Sequence, residues 1–466
     1  MASKLLYNVE DKPSWGKTII FAFQQLLAIL AATIAVPAII NNSVPGADMS
    51  TSAALFGAGI GTLIYLICTK FRSPVFLGSS FAFIPSMLAA FGGGVSAAFG
   101  YLGIVIGALF MGLVYLAISI VVRFVGTKWV DKIMPPVVIG PTVALIGLSL
   151  AKNAVADFQT GGLASTSTWI AMLIGFITLV TIIVCSLYGN SFIKIIPFII
   201  GIAVGYAVAS MFTGIGFASG VEELKVVDWS ALEHIEWVPN FAVVKAFGAF
   251  NEMSSPAQFW IIVGGAALGY IPVAFVIFAE HIADHKNLSS IIDRDLLTNP
   301  GLHRTLMGDA LGSMVGASCG GCPITTYGES VGCVAISGNA SIRTILVTSI
   351  LCMVLAFIGP FTAALSTIPS CVMGGVCISL YGFIAVSGFK MIQKVNLDDK
   401  SNVFVVSIIL IVGIGGLILD FGPVQITAIA VALIMGIIVN LIAAKYRKNE
   451  AKTAEPEKAE DKEEIK

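Results

Sequence analysis

Long apolar runs separated by short polar connections dominate the chain. A helix that crosses a bilayer needs about 20 predominantly apolar residues. The runs predict fourteen membrane-spanning segments, numbered here in chain order: 18–40, 52–69, 75–91, 100–122, 133–151, 168–187, 192–212, 259–281, 309–320, 322–338, 343–366, 367–388, 403–421 and 425–444. The pattern therefore predicts an all-α polytopic membrane protein.

The composition agrees with a chain that lies mostly in a lipid bilayer. It is 57% hydrophobic and 11% charged, whereas soluble globular domains carry about 25% charged residues. The formal net charge is −1, and no basic stretch suits a polyanion. We therefore expect the bilayer as the surroundings of this protein and no nucleic-acid partner.

The basic residues predict the orientation. An even number of spans places both termini on one side of the membrane. If that side is the cytoplasm, 23 of the 26 Lys and Arg residues fall on cytoplasmic segments, and only Lys152, Lys225 and Lys245 fall outside. This is the asymmetry of the positive-inside rule. Residues 1–17 lack an apolar signal region, so we expect a plasma-membrane protein with both termini in the cytoplasm.

Three connecting or terminal stretches have their own patterns. Residues 213–258 predict a solvated external loop near the midpoint of the chain. Between His285 and Gly308, apolar residues recur at nearly helical spacing, which predicts a short helix on the inner membrane surface. From Lys445 onward the chain is rich in Lys, Glu and Ala, contains Pro456 and has no apolar face, which predicts a frayed or disordered cytoplasmic tail.

The midpoint loop divides the spans into two halves of seven, and an odd number makes the second half an inverted copy of the first. Residues 134–140 and 368–374, which begin the fifth and the twelfth predicted segments, share the pattern Met/Ile-Pro-x-x-Val-Ile/Met-Gly. Secondary transporters are commonly built from inverted repeats, with their binding site at the membrane midplane.

Segments three and ten are short and interrupted by Gly, Ser and Pro, at residues 76–85 and 321–329. Irregular backbone is tolerated at membrane depth only where it is buried in protein or lines a cavity. Such breaks free backbone groups and direct the positive ends of half-helices at a ligand. A flat polar heterocycle suits them, because backbone groups can meet its ring carbonyls while carboxylates accept its ring N–H protons.

Two carboxylates, Glu280 and Glu329, fall inside or at the end of apolar segments. A charge near the membrane centre costs at least about 2.5 kcal/mol, so such residues usually face a cavity and mark a substrate or proton path. Burial also disfavours the charged form, so Glu280 is expected to load and release a proton. A structural carboxylate is the alternative for each. Asp309 and Asp420 are interpreted as interfacial residues at helix ends.

Metal and redox chemistry are weakly indicated. Cys319 and Cys322 have the spacing of a metal or redox pair, but no second pair accompanies them, so packing is the favoured interpretation. His281 and His285 are four residues apart, yet Ile282 stands where a zinc protease motif needs Glu. We therefore expect no catalytic residue, no metal and no cofactor other than a proton as the coupling ion.

Five motifs together resemble the uracil permease branch of the nucleobase and ascorbate transporters, a family of nucleobase:cation symporters. They lie at residues 78–83, 135–140, 279–282, 295–304 and 325–329. The resemblance implies fourteen spans in two inverted seven-span repeats, with a core of spans 1–4 and 8–11 and a gate of spans 5–7 and 12–14. It also implies proton-coupled uptake and a homodimer.

The implied domain boundaries follow from these spans. The core comprises 18–122 and 259–366, and the gate comprises 133–212 and 367–444. The external loop occupies 213–258 and the cytoplasmic tail 445–466.

The resemblance also implies a binding site. Glu280 and Glu329 would hydrogen-bond the pyrimidine, the backbone of Phe81 and Gly328 would meet its carbonyls, and Ala32 and Tyr327 would flank the ring.

The implied proton-coupling set is Glu280, Asp284 and Gln25. This set departs from the family pattern, because Asp284 and Gln25 stand where family members often have histidine. Ser330, after Glu329, similarly replaces a frequent asparagine.

The sequence thus predicts a secondary transporter, not an enzyme, that imports uracil by proton symport through alternating access. One alternative is a permease of the same fold for xanthine, urate or another nucleobase. A more remote one is an anion carrier, which needs positive charge at its site, whereas no predicted span has a central Lys or Arg. The absence of a nucleophile and base pair disfavours an intramembrane enzyme.

Overall fold

The first half of the chain is helical with one short strand. The structure is a computed structural model that describes residues 5–92, 96–190, 192–233, 235–420 and 425–463. Its elements as far as residue 255 are α1 (Trp15–Ser43), α2 (Thr51–Cys68), β1 (Leu77–Ser79), α3 (Ile84–Phe91), α4 (Ala97–Val125), α5 (Lys128–Ile133), α6 (Pro136–Ser149), α7 (Ala151–Phe158), α8 (Thr168–Tyr188), α9 (Pro197–Ser219) and α10 (Ala242–Glu252).

The second half has a similar composition of elements. They are α11 (Pro256–Ile292), α12 (Leu302–Gly320), β2 (Ile324–Thr326), α13 (Gly328–Ser337), α14 (Ile342–Leu355), α15 (Gly359–Ser366), α16 (Ser370–Ile392), α17 (Lys400–Ile414), β3 (Leu419–Asp420), β4 (Gln425–Ile426) and α18 (Ala428–Glu463). In α18 the side chains are described as far as Tyr446.

The chain is a multi-pass membrane protein. Within the described ranges, nine helical stretches are long and apolar enough to cross a membrane, and ten if α14 and α15 form one span bent by 83°. Pro360 in the first turn of α15 fits this bend, because proline begins a helix readily but cannot continue one. The count of fourteen spans and the inverted repeat stay predictions.

The interruptions predicted in the third and tenth segments are present. β1 pairs with β2 in an antiparallel register that places Gly78 opposite Thr325, and a half-helix follows each strand. The ring of Tyr327 lies where a side chain on Gly78 would be, so only glycine fits this crossing.

Two predictions about the ends of elements are wrong. The expected surface helix after His285 is absent from the described structure, because α11 continues without a break to Ile292 and α12 begins at Leu302. Its apolar residues Leu288 and Ile292 are buried in the protein rather than laid on a membrane. The tail, predicted to be irregular, continues as helix to Glu463, which is consistent with its Ala, Glu and Lys content.

Two helix pairs approach backbone to backbone. A Cβ atom added to Gly57 of α2 would lie 2.5 Å from the carbonyl oxygen of Gly316 on α12, and one added to Gly388 of α16 would lie 2.5 Å from that of Gly140 on α6. Small residues let membrane helices pack this closely. The α2–α12 and α6–α16 contacts therefore leave little room for sliding within each pair.

The eight cysteines are free thiols. Cys322 is buried and Cys319 is half-buried in the helical bundle. This placement agrees with their interpretation as packing residues.

Candidate functional site

A cavity of about 470 Å³ lies beside the crossing of β1 and β2. Its volume is within the usual range of small-molecule sites, about 300–1,000 Å³. The wall combines backbone from the two interrupted segments with side chains of α1, α11, α13 and α16. Its lining residues include Ala28, Ser80, Phe81, Glu280, Asp284, Asn287, Thr325, Thr326, Tyr327, Gly328 and Glu329. The cavity thus collects most of the predicted site residues.

The two predicted glutamates reach this cavity from different kinds of backbone. Glu280 projects from the middle of the continuous helix α11, while Glu329 is in the first turn of α13. The first N–H groups of a helix have no partner within it and carry a partial positive charge. Glu329 therefore lies where backbone donors and a carboxylate acceptor are available side by side.

Phe81 and Gly328 begin the helical turns that follow the two strands. Phe81 opens a short turn, Phe81–Phe83, before α3, and Gly328 is the first residue of α13. Both line the cavity. Two helix starts thus meet at one wall, as expected for backbone recognition of a polar ring.

The aromatic wall is held by one hydrogen bond and one ring contact. The hydroxyl of Tyr327 donates to the carbonyl oxygen of Ser79 at 2.9 Å, so its ring lies across the strand pair. The ring of Phe81 meets that of Tyr381 edge to face, with 5.6 Å between centroids. Tyr381, on α16, was not among the predicted residues, because an apolar helix offers no sequence signal for a single aromatic contact.

Two predicted residues of α1 lie elsewhere. Ala28 lines the cavity, whereas Ala32, one turn later, is buried and does not reach the described wall. Gln25 donates from Nε2 to the Ser330 hydroxyl at 2.6 Å, and that hydroxyl also accepts from the backbone N–H of Phe76 at 3.1 Å. Gln25 therefore contacts the neighbour of Glu329 and ties α1 to both interrupted segments.

Asp284 is one helical turn beyond Glu280 and faces the same cavity. Its Oδ2 accepts a hydrogen bond from the Thr326 hydroxyl at 2.8 Å. Thr326 belongs to β2, so this bond joins the continuous helix to the broken one.

A buried group behind the cavity was missed by the sequence reasoning. Asp309 is fully buried, so its interpretation as an interfacial residue is wrong. Its Oδ2 lies 2.8 Å from His281 Nδ1 and accepts from the hydroxyl of Thr325, which lines the cavity, at 3.2 Å. The only sequence signal was an acidic residue in an apolar segment, without its partner 28 residues away.

Both ring nitrogens of His281 have a polar partner. Nδ1 faces Asp309 Oδ2, and Nε2 lies 3.0 Å from the Thr305 hydroxyl, which also donates to the Leu302 carbonyl oxygen at 3.0 Å. The imidazole ring of His281 is therefore fixed between Asp309 and Thr305.

His285 stacks on His281, with 4.1 Å between ring centroids. Its Nδ1 donates to the His281 carbonyl oxygen and its Nε2 accepts from the Tyr65 hydroxyl, both at 2.7 Å. Among the described residues, no group of three or more metal-ligating side chains is close enough to hold a metal ion.

A second cavity, of about 310 Å³, lies around the end of α1 and the starts of α2 and α16. Asn42 is in its wall, and the side-chain nitrogen of this residue donates to Asp157 Oδ1 on α7 at 3.3 Å. The two cavities open toward opposite ends of α1. Asn42, in the wall of the second cavity, is in the last turn of α1. Asn287, in the wall of the first cavity, is near the end of α11, and Arg294 just after that end pairs with Glu10, which precedes α1.

Sequence comparison identifies relatives over nearly the whole chain. The family model described as "Permease family" (Xan_ur_permease) matches residues 16–420. A protein named uracil permease from Bacillus subtilis (strain 168) is 36% identical over 462 residues, which cover 97% of this chain and 98% of the relative. Proteins of the same name from Bacillus caldolyticus (36%, 94% and 95% covered) and Escherichia coli K12 (33%, 93% of each) are also similar.

The fold is shared with solved membrane transporters of low sequence identity. The transmembrane domain of a cyanobacterium bicarbonate transporter, BicA, aligns with a TM-score of 0.54 at 15% identity, covering 94% of this chain and 100% of that one. Murine Slc26a9, an anion transporter solved in the inward-facing state, aligns with a TM-score of 0.63 at 12% identity, covering 94% and 69%. These likenesses concern architecture alone.

Proposed function

Because the chain belongs to this permease family, we propose that it imports uracil by proton symport through alternating access. The main support is the cavity at the β1–β2 crossing, where Glu280 and Glu329 lie beside the helix starts at Phe81 and Gly328. The carboxylates accept the N–H protons of the pyrimidine, and the backbone N–H groups of Phe81 and Gly328 donate to its carbonyls. Tyr327 and α1, near Ala28 and Ala32, flank the ring.

The architecture of the proposal is fourteen spans in two inverted repeats, divided into the core and gate given above. Nine spans are the long apolar helices, and the other five predicted segments coincide with β1–α3, α12, β2–α13, α14–α15 and α17. The antiparallel pairing of the third and tenth segments supports the inverted relation. The tight α2–α12 and α6–α16 pairs support one rigid unit on each side of the site.

The two cavities support a state that is open toward the cytoplasm. The cavity with the glutamates extends to Asn287, near the end of α11, while Asn42 and Asp157 join α1 to α7 at the opposite end. Core and gate then rock about the site, and this contact parts when the outer side opens. Both termini are cytoplasmic in this orientation, and the family resemblance is the basis for a homodimer in the plasma membrane.

The proton is carried by the carboxylates around the site. Glu280 loads it from outside, and Asp284 and Gln25 take the positions of the histidines that family members often have. The titratable pair of His281 and Asp309 lies one hydrogen bond behind Thr325. One positive charge entering with a neutral base gains about 2.3 kcal/mol per 100 mV, enough for roughly 50-fold accumulation.

Uptake of labelled uracil into proteoliposomes with an imposed inward proton gradient tests this function. The expected result is accumulation that collapses when a protonophore is added. Uptake that does not change when the protonophore is added would contradict proton coupling. If the folded protein neither takes up nor binds uracil, uracil is not its substrate.

The second candidate substrate is a larger nucleobase such as xanthine or urate. The cavity volume of about 470 Å³ leaves room for a two-ring base. Competition of uracil uptake by purine bases and by simple anions separates these substrates. Competition by an anion but by no purine would favour the anion carrier instead.

A further inference from the structure

The residues before α1 form a strap along the cytoplasmic end of the bundle. This strap, residues 5–13, runs beside the turn that follows α13. The N–H groups of Leu6 and Tyr7 donate to the Gly338 carbonyl oxygen at 2.7 and 3.2 Å, and that of Ala340 donates back to Tyr7 at 2.9 Å. Tyr7 and Asn339 form a parallel β-bridge. The strap is thus paired by backbone with the turn at the end of α13, the helix that carries Glu329 in its first turn.

Further contacts continue the pairing toward α14. The Ile342 N–H donates to the Val9 carbonyl oxygen at 3.1 Å, the Ser341 hydroxyl to the Asp11 carbonyl oxygen at 2.6 Å, and Arg343 Nη1 to the Pro13 carbonyl oxygen at 3.1 Å. The side chain of Val9 is only 4% exposed. The strap is therefore anchored by both a buried apolar residue and a series of backbone bonds.

Gly338 shows that the turn is built for this approach. Its φ is +65°, a conformation that favours glycine, and a Cβ atom there would lie 3.2 Å from the backbone nitrogen of Leu6. The turn thus has both the backbone shape and the free space that the strap requires.

An ion pair joins the strap to the other glutamate-bearing helix. Glu10 Oε1 lies 2.6 Å from Arg294 Nη1, and Arg294 follows the end of α11. The backbone N–H of Arg294 donates to Ser289, in the last turn of α11, at 3.1 Å. The strap therefore contacts the ends of both helices that carry the proposed substrate glutamates.

We propose that the strap is a positioning element that fixes α13 relative to α11 and so places Glu329 relative to Glu280. The proposal rests on the function proposed above for these carboxylates. A ten-residue helix is about 15 Å long and rigid over that length. A displacement at Ser337 is therefore carried to Glu329, and the strap restrains that displacement from outside the cavity.

Charge variants of the ion pair test the proposal without touching the cavity. Exposed ion pairs contribute modestly, so Glu10→Arg is expected to weaken equilibrium binding of labelled uracil about three-fold. The double variant Glu10→Arg/Arg294→Glu restores the pair with reversed charges, and its affinity for uracil should be within about two-fold of the wild-type affinity. A matched control is Glu222→Arg, because Glu222 pairs with Lys225 at 2.5 Å and its side chain, like that of Glu10, is 66% exposed.

A stronger variant is Val9→Asp, which buries an acidic group and is expected to weaken uracil binding about ten-fold. Amide hydrogen exchange distinguishes release of the strap from general loss of stability. Exchange should increase in α13, residues 328–337, and stay unchanged in α8, residues 168–188. Equal increases in both helices, or unchanged α13 exchange with wild-type binding, would overturn the proposal.

Hydrogen exchange also separates this proposal from the proposed function. If wild-type protein does not bind uracil, the substrate is wrong, but faster α13 exchange in Val9→Asp would still support the strap as the restraint. If wild-type protein binds uracil and the double charge variant stays as weak as Glu10→Arg, the ion pair has no positioning role and the proposal fails.

Discussion

The two glutamates of the site stand on contrasting backbones. Glu280 is inside α11, a helix of 37 residues, and the backbone groups around it bond within the helix. Glu329 is in the first turn of α13, a helix of ten residues with unsatisfied N–H groups beside it. The continuous helix can offer only a side chain, which can gain or lose a proton. The broken helix also offers fixed backbone donors, whose number does not depend on pH.

The largest effect is expected from removing the titratable group on the continuous helix. Glu280→Gln keeps the shape of the side chain but cannot carry a proton, so gradient-driven accumulation of uracil should fall from roughly 50-fold to none. Exchange of labelled for unlabelled uracil across the vesicle membrane should persist. Accumulation equal to that of the wild type would show that the proton is coupled elsewhere.

Removing a backbone donor on the broken helix is the next largest change. Gly328→Pro deletes one N–H at the first helical position, where proline is tolerated, and Tyr327 already has the extended conformation that precedes proline. Uracil binding should weaken about five- to ten-fold, the value of one hydrogen bond. Gly328→Ala is the matched control, because its Cβ would lie 3.9 Å from Asp284 Oδ1, an ordinary van der Waals distance. Equal binding by both variants would mean that this N–H does not contact the base.

A smaller effect is expected from the hydrogen bond between Thr326 and Asp284, which joins β2 to α11. Thr326→Val removes the hydroxyl that donates to Asp284 and should weaken uracil binding about two- to three-fold, because this bond acts on the base only through its neighbours. Thr326→Ser retains the donor and should bind as the wild type does. If the Thr326→Val and Thr326→Ser variants bind uracil equally well, the hydrogen bond from Thr326 to Asp284 does not contribute to uracil binding.

The smallest effect concerns pH at the strap. Arg294 lowers the pKa of Glu10 through a hydrogen bond and its charge. A carboxyl whose pKa is lowered on folding stabilises the fold above its unfolded pKa and loses that contribution as the pH falls through the folded value. The protection of α13 amides, which is their exchange rate relative to the intrinsic amide rate at the same pH, should therefore stay constant from pH 8 to pH 5, because both values are above the ordinary pKa of Glu, about 4.3. A loss of protection within this range would point to another titrating group.

The sequence predicted the parts of this site that depend on local pattern. Interrupted apolar segments revealed the β1–β2 crossing, and an acidic residue in an apolar run revealed Glu280. Contacts distant in sequence were not accessible in the same way. Gln25 and Ser330 are 305 positions apart, and nothing in either segment specifies the other. The apolar spacing after His285 fits a surface helix as well as a continued α11. Only the burial of Leu288 and Ile292 in the folded protein distinguishes the two.

The strap escaped the sequence reasoning for a related reason. Its residues mix apolar and polar types without a helical or strand period, and its pairing is by backbone, which nearly every residue type can provide. Asp309 was misassigned because its position near a predicted helix end suggested contact with water, whereas the tertiary structure places it against His281.

The β1–β2 pairing has a consequence for how the protein is made. Leu77 pairs with Thr326, about 250 positions later in the chain, so the first strand is synthesised long before its partner exists. At about 5–20 residues per second, the wait is on the order of 10–50 s. During biosynthesis the first interrupted segment must therefore stay in a provisional arrangement in the membrane, and the cavity beside the crossing can form only after most of the second half has been inserted.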